Sequence, residues 1–321
     1  MDLIYMDTNR KDVGVLQDYT FDLAFGEDEN DFELVLDLSN HICEPNGFVY
    51  IDGTEYGGII DRINVVTRDD KLTYGGRTWH GILASKVIEP NKGEAHLTVS
   101  GEANRVIASV INRLGLGDLF TVSTENSGLD INGYSFDRYV NGYVGIAKML
   151  ASVGGKLKFT FSKDKVVLSA LPLVDYSKDE QFDNDSVEMD IEKTYNTVNH
   201  LICLGKGELE NRKVVHLYRD ANGNIVDTQV FFGLEEVAEV LDYPNVESDD
   251  ELKKKGKEQV EKSANADKVQ LDLVAEETTY DIGDIIGAKE INTKTVATAK
   301  ITKKIVTIDQ GSVNIQYKVG E

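Results

Sequence analysis

The chain has 321 residues, 56 Asp and Glu against 34 Lys and Arg, and a formal net charge of −22. With 41% hydrophobic and 28% charged residues it has the composition of a folded chain, long enough for two or three modest domains. So acidic a surface repels the phosphate backbone and anionic lipid, which argues against sequence-specific nucleic-acid binding.

The charge is unevenly spread. Residues 1–60 hold 14 acids against Arg10 and Lys11, whereas residues 287–321 hold six Lys against three acids. An acidic end and a basic end can meet head to tail in an oligomer; a solvated surface explains the same pattern without a partner. Cys43 and Cys203 have no CxxC spacing and read as reduced thiols packed as small apolar residues. The N-terminus, MDLIYMD, carries acids where a signal peptide carries basic residues, and no apolar run approaches the ~18–20 residues that cross a membrane. Synthesis and folding in a cytoplasm, without a membrane anchor, are expected.

Period-2 patterning fills the first 95 residues. Tyr19, Phe21, Leu23 and Phe25 alternate with Thr20, Asp22 and Ala24; Phe32, Leu34, Leu36 and Leu38 alternate with Glu33, Val35 and Asp37. These are half-buried strands, separated by turn residues at 26–30, 45–47, 52–53 and 68–71. Such spacing predicts a small antiparallel barrel or sandwich over 1–95.

The period then changes. Ala103, Val106, Ile107, Val110, Ile111 and Leu114 form one helical stripe, with Ser100 as its expected cap and Gly115 and Gly117 as its stop. A second helix is expected over 139–153, with Tyr143, Ile146, Ala147 and Leu150 inward and Gly154-Gly155 ending it. Residues 156–172 read as a hairpin turning at Lys163-Asp164. The acidic stretch 175–193 reads as a linker or exposed loop, so 96–195 forms a middle α+β segment.

Strands return from Tyr195, with a hairpin tipped by Asn222-Gly223. Two helical stretches are expected as an insertion at about 233–265, the second nearly all polar and on a surface. Within it, Lys253, Lys254 and Lys255 suit an arm reaching a neighbour or a plain solvated face. Strands resume at Val269, Leu271 and Leu273 and close with Val313, Ile315, Tyr317 and Val319 alternating. Residues 196–321 thus read as a second barrel-like domain. VVTRDDK at 65–71 and IVTIDQG at 305–311 share Val66/Val306, Thr67/Thr307 and Asp69/Asp309, a faint echo between the first and last domains.

A scan for chemistry comes back empty. The only tryptophan, Trp79, adjoins His80; as part of a strand over 78–88 the two side chains point to opposite, largely apolar faces, and His80 reads as structural. No GxSxG, HExxH or P-loop gives it a partner. His41, His96, His200 and His216 are scattered, without metal-ligand spacing. Residues 220–227 fail the calcium-loop pattern, since Gly223 falls at position 4 and Phe231 at position 12. The acidic run GEDEND at 26–31 reads as a loop in water or a loose cation contact. No catalytic, cofactor-binding or metal residue is assigned, and no cofactor is expected.

Three stretches together, YGGIIDRINVVTRDDKLTYGGRTWHGILASKVIEP (56–90), YNTVNHLICLGKGELENRKVVHLYRDANGNIVDTQVFFGLEEVAEVL (195–241) and YDIGDIIGAKEINTKTVATAKITKKIVTIDQGSVNIQYKVG (280–320), resemble the hub proteins of bacteriophage tails. These are the baseplate hub of contractile tails and phage-like particles and the tail-tip hub of siphophages. The resemblance implies an α+β, predominantly β chain with two antiparallel β-barrel tube domains, 1–95 and 196–321, around the middle segment. It implies a homotrimer whose six barrels form a pseudo-six-fold ring, joining the hexameric tail tube protein to a three-fold spike or tip protein and touching other baseplate proteins. DNA and the tape measure protein would pass through the ring; the acidic charge then suggests that some acids of residues 22–37 or of the loops face the channel and repel DNA. The implied place is the virion tail and the implied role non-enzymatic; relatives that continue into a peptidoglycan-cleaving domain differ from this chain. The rival readings are a peptidoglycan- or glycan-acting hydrolase with an acidic pair, and a glycan-binding module using some of the 14 tyrosines.

Overall fold

The computed structural model describes residues 2–320 except 27, 179–180, 184–188, 193–196, 222, 265–267 and 276–279. Contacts divide the chain into two compact units, Met1–Met189 with Leu271–Gly320, and Asp190–Gln270. These borders differ from the three-part division at 95 and 195 read from periodicity. The fold is mainly β with a few helices, as expected.

In the first unit one long antiparallel sheet includes, in order, Ser312–Val319, Val296–Asp309, Thr20–Gly26, Asp31–Asp37, Lys71–Thr78, Gly57–Val66, Phe48–Tyr50, Ile4–Met6, Asp12–Val15. The alternation read from sequence holds here: Phe21, Leu23, Phe25, Phe32, Leu34 and Leu36 are buried, as are Ile315 and Tyr317. Leu38 has left the strand for a short 3-10 turn. Both chain ends enter this sheet, because Lys303–Asp309 pairs with Thr20–Gly26. The acidic front and basic tail therefore meet inside one chain, through Lys303–Glu29 and Lys304–Glu55.

Residues 65–71 and 305–311 both lie at hairpins, but they are not equivalent. Thr67 to Asp70 form a turn, whereas Thr307 is still paired in its strand and the turn falls at Gln310-Gly311. The stretch 175–193 is not simply an exposed linker: its Gln181–Asp183 is a strand paired parallel to Ile285–Lys289.

Residues 78–88 are not one strand: only Thr78 and Val87–Ile88 are in strands. Lys71–Thr78 ends at Thr78, whose hydroxyl accepts from the Gly81 amide, and helix α1 (Trp79–Ala84) follows. Trp79, Ile82 and Leu83 fall at i, i+3 and i+4, a helical spacing, whereas in a strand only Trp79 and Leu83 would share a face, and the cap decides for the helix. Helix α2 (Ala103–Arg113) is capped by Glu102 and not by Ser100: the Glu102 carboxylate accepts from the amides of Asn104 and Arg105 and from the Ser127 hydroxyl and amide. Those donors hold its carboxyl down at about 2 against the desolvation that raises it. Helix α3 is Gly142–Ala151, shorter than 139–153, because Asn141 caps it at Val144.

The hairpin Gly155–Ser162/Lys165–Pro172 turns at Lys163-Asp164, both at positive φ, as read from the sequence. Phe120–Val122 joins it in parallel, and α1, α2 and α3 share a core with this sheet that includes Trp79, Ile107, Val110, Ile146, Leu150, Phe159 and Leu168.

The second unit is a four-stranded sheet, in the order Ile225–Val226, Val214–Arg219, His200–Leu204, Ala238–Asp242. The tip residue Asn222 lies outside the described residues, and its neighbour Gly223 sits at φ 85° in the turn. The first expected helix of the insertion is a correction: Gly233–Glu235 is a single 3-10 turn and Ala238–Asp242 a strand parallel to His200–Leu204. Its run of Val237, Val240 and Leu241 suits a strand. The polar helix is real: α4 (Asp249–Ala264) rests on Leu201, Cys203 and Leu217 through Leu252 and Gly256.

Candidate functional site

The largest concentration of buried charge lies in the first unit, where front, middle and tail of the chain meet. In Val296–Asp309 the buried positions are Ala297, Ile301, Lys304, Val306 and Ile308, so a lysine occupies a core position and is only 1% exposed. Register places Lys304 between Phe25 and Tyr317, and its ammonium lies 5.9 and 5.6 Å from their ring centroids. Lys304 Nζ donates to Glu55 Oε1 at 2.7 Å and stands 3.8 Å from Asp281 Oδ1.

Asp281 also pairs with Lys158 and Lys156, and Lys156 Nζ donates to both oxygens of buried Asp284 at 2.8 and 2.7 Å. Asp284 accepts further from the amides of Val174 and Asp281. Three lysines are thus matched by three carboxylates, as buried charge requires. Desolvation opposes ionisation of Asp281, but Lys158, Lys304 and Lys156 hold its carboxyl down at about 2.

Trp79 and His80 flank this cluster. Trp79 stacks near Phe161 and Phe48. His80, 2% exposed, lies parallel to Phe25 at 4.7 Å and against Phe159 at 3.8 Å. Burial pushes its imidazole down to about 4, outweighing the nearby Glu55 carboxylate, whose Oε2 is 3.7 Å from Nε2. It is therefore neutral near pH 7. Trp79 Nε1 and His80 Nδ1 are buried without a hydrogen-bond partner. Trp79 and His80 are buried, and this corner joins segments of the chain. His80 thus lies in a helix and not in the strand expected for it.

The remaining histidines have local bonds. His41 Nδ1 donates to the Tyr74 hydroxyl at 2.6 Å, which itself donates to the Cys43 carbonyl, and His96 Nδ1 donates to the Phe136 carbonyl at 3.0 Å. Both cysteines are buried, and burial pushes the Cys43 thiol up to about 12. His200 and His216 come together across neighbouring strands, at 2.8 Å. Sequence spacing missed them because the pairing of His200 with Tyr218 brings His216 to the diagonal position. Among the described residues no group of three or more His, Cys, Asp and Glu is arranged to hold a metal ion.

Asp22, Asp31, Glu33 and Asp37 lie on the outer phase of their strands. Asp22 stands directly opposite Glu33 in the ladder, a like-charge pair that costs stability. Arg62 donates to Glu33 at 2.8 Å and the Thr307 hydroxyl to Asp22 at 2.6 Å, which offsets the repulsion. Asp22, Glu29, Asp31, Glu33, Arg62 and Ile305 line a shallow groove here. Glu27, in the same acidic run, lies outside the described residues.

The whole chain superposes on solved phage proteins. A tail protein from Neisseria meningitidis MC58 matches with TM-score 0.54 at 14% identity, covering 100% of this chain and 96% of the other. The prophage tail protein gp18 from Listeria monocytogenes EGD-e matches with TM-score 0.57 at 11% identity, covering 99% and 94%. The 43 kDa tail protein of prophage MuSo2 from Shewanella oneidensis matches with TM-score 0.58 at 11% identity, covering 99% and 98%. The fold is that of phage tail proteins. No family model matches the sequence, and no curated protein matches it either. At these identities the likeness is one of fold, and function has to be argued from the surface and its chemistry.

Proposed function

We propose that the chain is a structural hub of a phage tail or a phage-derived contractile particle. The observation that carries this reading is the match to tail proteins over nearly the full length of both chains. In this reading the chain is not an enzyme, and His80 supports it by being sealed in a core.

Three copies form a ring of pseudo-six-fold symmetry that joins a hexameric tube to a three-fold spike or tip, placed in the virion tail. In this reading the barrel-like parts of each copy come from strands within 1–95 and 196–321, and the pairing of Thr20–Gly26 with Lys303–Asp309 brings strands of the two stretches side by side. The acidic outer face with Asp22, Asp31 and Glu33 suits a channel through which DNA and a tape measure protein slide without adhering. Heterologous contacts close such a ring.

Negative-stain imaging of the concentrated protein tests the reading. Rings with three-fold or pseudo-six-fold symmetry and an open centre are expected. Compact single particles at every concentration, together with release of muropeptides from cell walls, would overturn it in favour of a hydrolase.

A further inference from the structure

The second unit carries a side-chain constellation that the assembly reading does not use. His200 lies on the central strand His200–Leu204, on the face opposite α4, and is 8% exposed. Its Nδ1 donates to Glu236 Oε1 at 2.6 Å, which fixes the tautomer and leaves the Nε2 lone pair pointing outward. That lone pair faces His216 Nδ1 at 2.8 Å, on an exposed ring of the neighbouring strand. Tyr218, stacked on His200 at 4.6 Å, holds the buried ring in place.

We infer that His200 Nε2 and His216 Nδ1 form a two-imidazole site for a borderline divalent transition metal of the zinc class, with Glu236 as the carboxylate behind the inner ligand. A carboxylate on the far nitrogen of a ligating histidine is the arrangement that orients the ring and raises its basicity. Imidazole nitrogen suits zinc, copper and nickel, whereas magnesium and calcium prefer oxygen. Two nitrogens bound at about 2.0–2.1 Å to a tetrahedral metal stand about 3.4 Å apart, so the pair must open by about 0.6 Å. The exposed His216 ring supplies that movement while His200 stays fixed.

The metal replaces the proton now shared between the two nitrogens. That proton passes to His216 Nε2, so both imidazoles remain neutral and no net proton is released. Two coordination positions stay open to water or to a donor from another chain. A bound metal would cross-link strands His200–Leu204 and Val214–Arg219 and, through Glu236, the 3-10 turn before Ala238–Asp242. The inference goes beyond the tail reading and does not rest on it.

The test is titration of the EDTA-treated, dialysed full chain with ZnCl2 at pH 7.5 by calorimetry, with MgCl2 as the control ion. One zinc per chain is expected, with no magnesium heat. Glu236→Gln should weaken zinc about 10–100-fold, and His216→Gln should remove the site. His96→Gln, remote in sequence and bonded elsewhere, should leave it unchanged. The His216 ring is exposed, so its replacement leaves the sheet folded, which circular dichroism verifies. Absence of zinc binding to the native chain, or binding of equal strength in His216→Gln, would overturn the assignment.

Discussion

Replacing Lys304 by methionine keeps the unbranched stem in its slot between Phe25 and Tyr317 and deletes the ammonium. Glu55, also buried, then loses the partner that donates at 2.7 Å. His80, whose Nε2 is 3.7 Å away, is neutral and does not replace it. Removing one member of a buried pair costs about 3–5 kcal/mol, because the other is left as uncompensated charge. For a unit of this size that corresponds to a drop of about 6–20 °C in Tm. Urea unfolding followed by fluorescence reads the effect directly, since the single tryptophan, Trp79, is buried in the same unit against Phe48 and Phe161. The double variant Lys304→Met/Glu55→Gln removes both charges and should recover part of the loss, giving a favourable coupling in the cycle. A cost below about 1 kcal/mol for Lys304→Met, within the range of an exposed pair, or a double variant no more stable than the single one, would refute the reasoning.

Stability should fall with acid in two steps. His80 titrates at about 4 in the folded chain against 6.5 for a free imidazole, so between these values the unfolded chain takes up a proton that the folded chain refuses. Its contribution is complete above pH 6.5 and is lost as pH falls towards 4. Asp281, held at about 2 against 3.8, adds a second loss below pH 3.8. His80→Phe should flatten the first step and keep the second, and an unchanged slope between pH 6.5 and 4 in chemical denaturation would count against a buried neutral imidazole. In the second unit, a β-carbon on Gly256 would lie 2.5 Å from Leu217 Cδ1 and 2.7 Å from Cys203 Sγ. Gly256→Val should therefore lift α4 at a cost of about 1–3 kcal/mol. Hydrogen exchange should accelerate across 200–264, and native-like protection there would show that the helix does not need this close approach.

Much of the architecture was legible in the sequence because the relevant forces are local. Alternation in residues 19–25, 31–37 and 312–319 marks half-buried strands, and the Lys163-Asp164 turn carries its own conformational signature. The stripe from Ala103 to Ile111 specifies a helix without outside help. Residues 78–84 are ambiguous in sequence because Trp79 and Leu83 share a face in a helix and in a strand alike while apolar or small residues fill the other strand face too; the hydroxyl of Thr78 settles the helix only once the preceding strand has a fixed end. Ala238–Asp242 looked helical until a parallel partner 38 residues away, His200–Leu204, supplied its hydrogen bonds.

Sequence alone determined the acidic surface, the strand-rich class and the absence of a recognisable catalytic motif. Tertiary structure decided which charges are buried and which histidines meet. Lys304, Glu55 and Asp281 are unremarkable letters separated by as many as 249 positions, and His200 and His216 show no ligand spacing. Their pairing depends on strand register and on the entry of both chain ends into one sheet. Those are long-range choices, set by how the whole chain buries its apolar faces and not by any window of neighbouring residues.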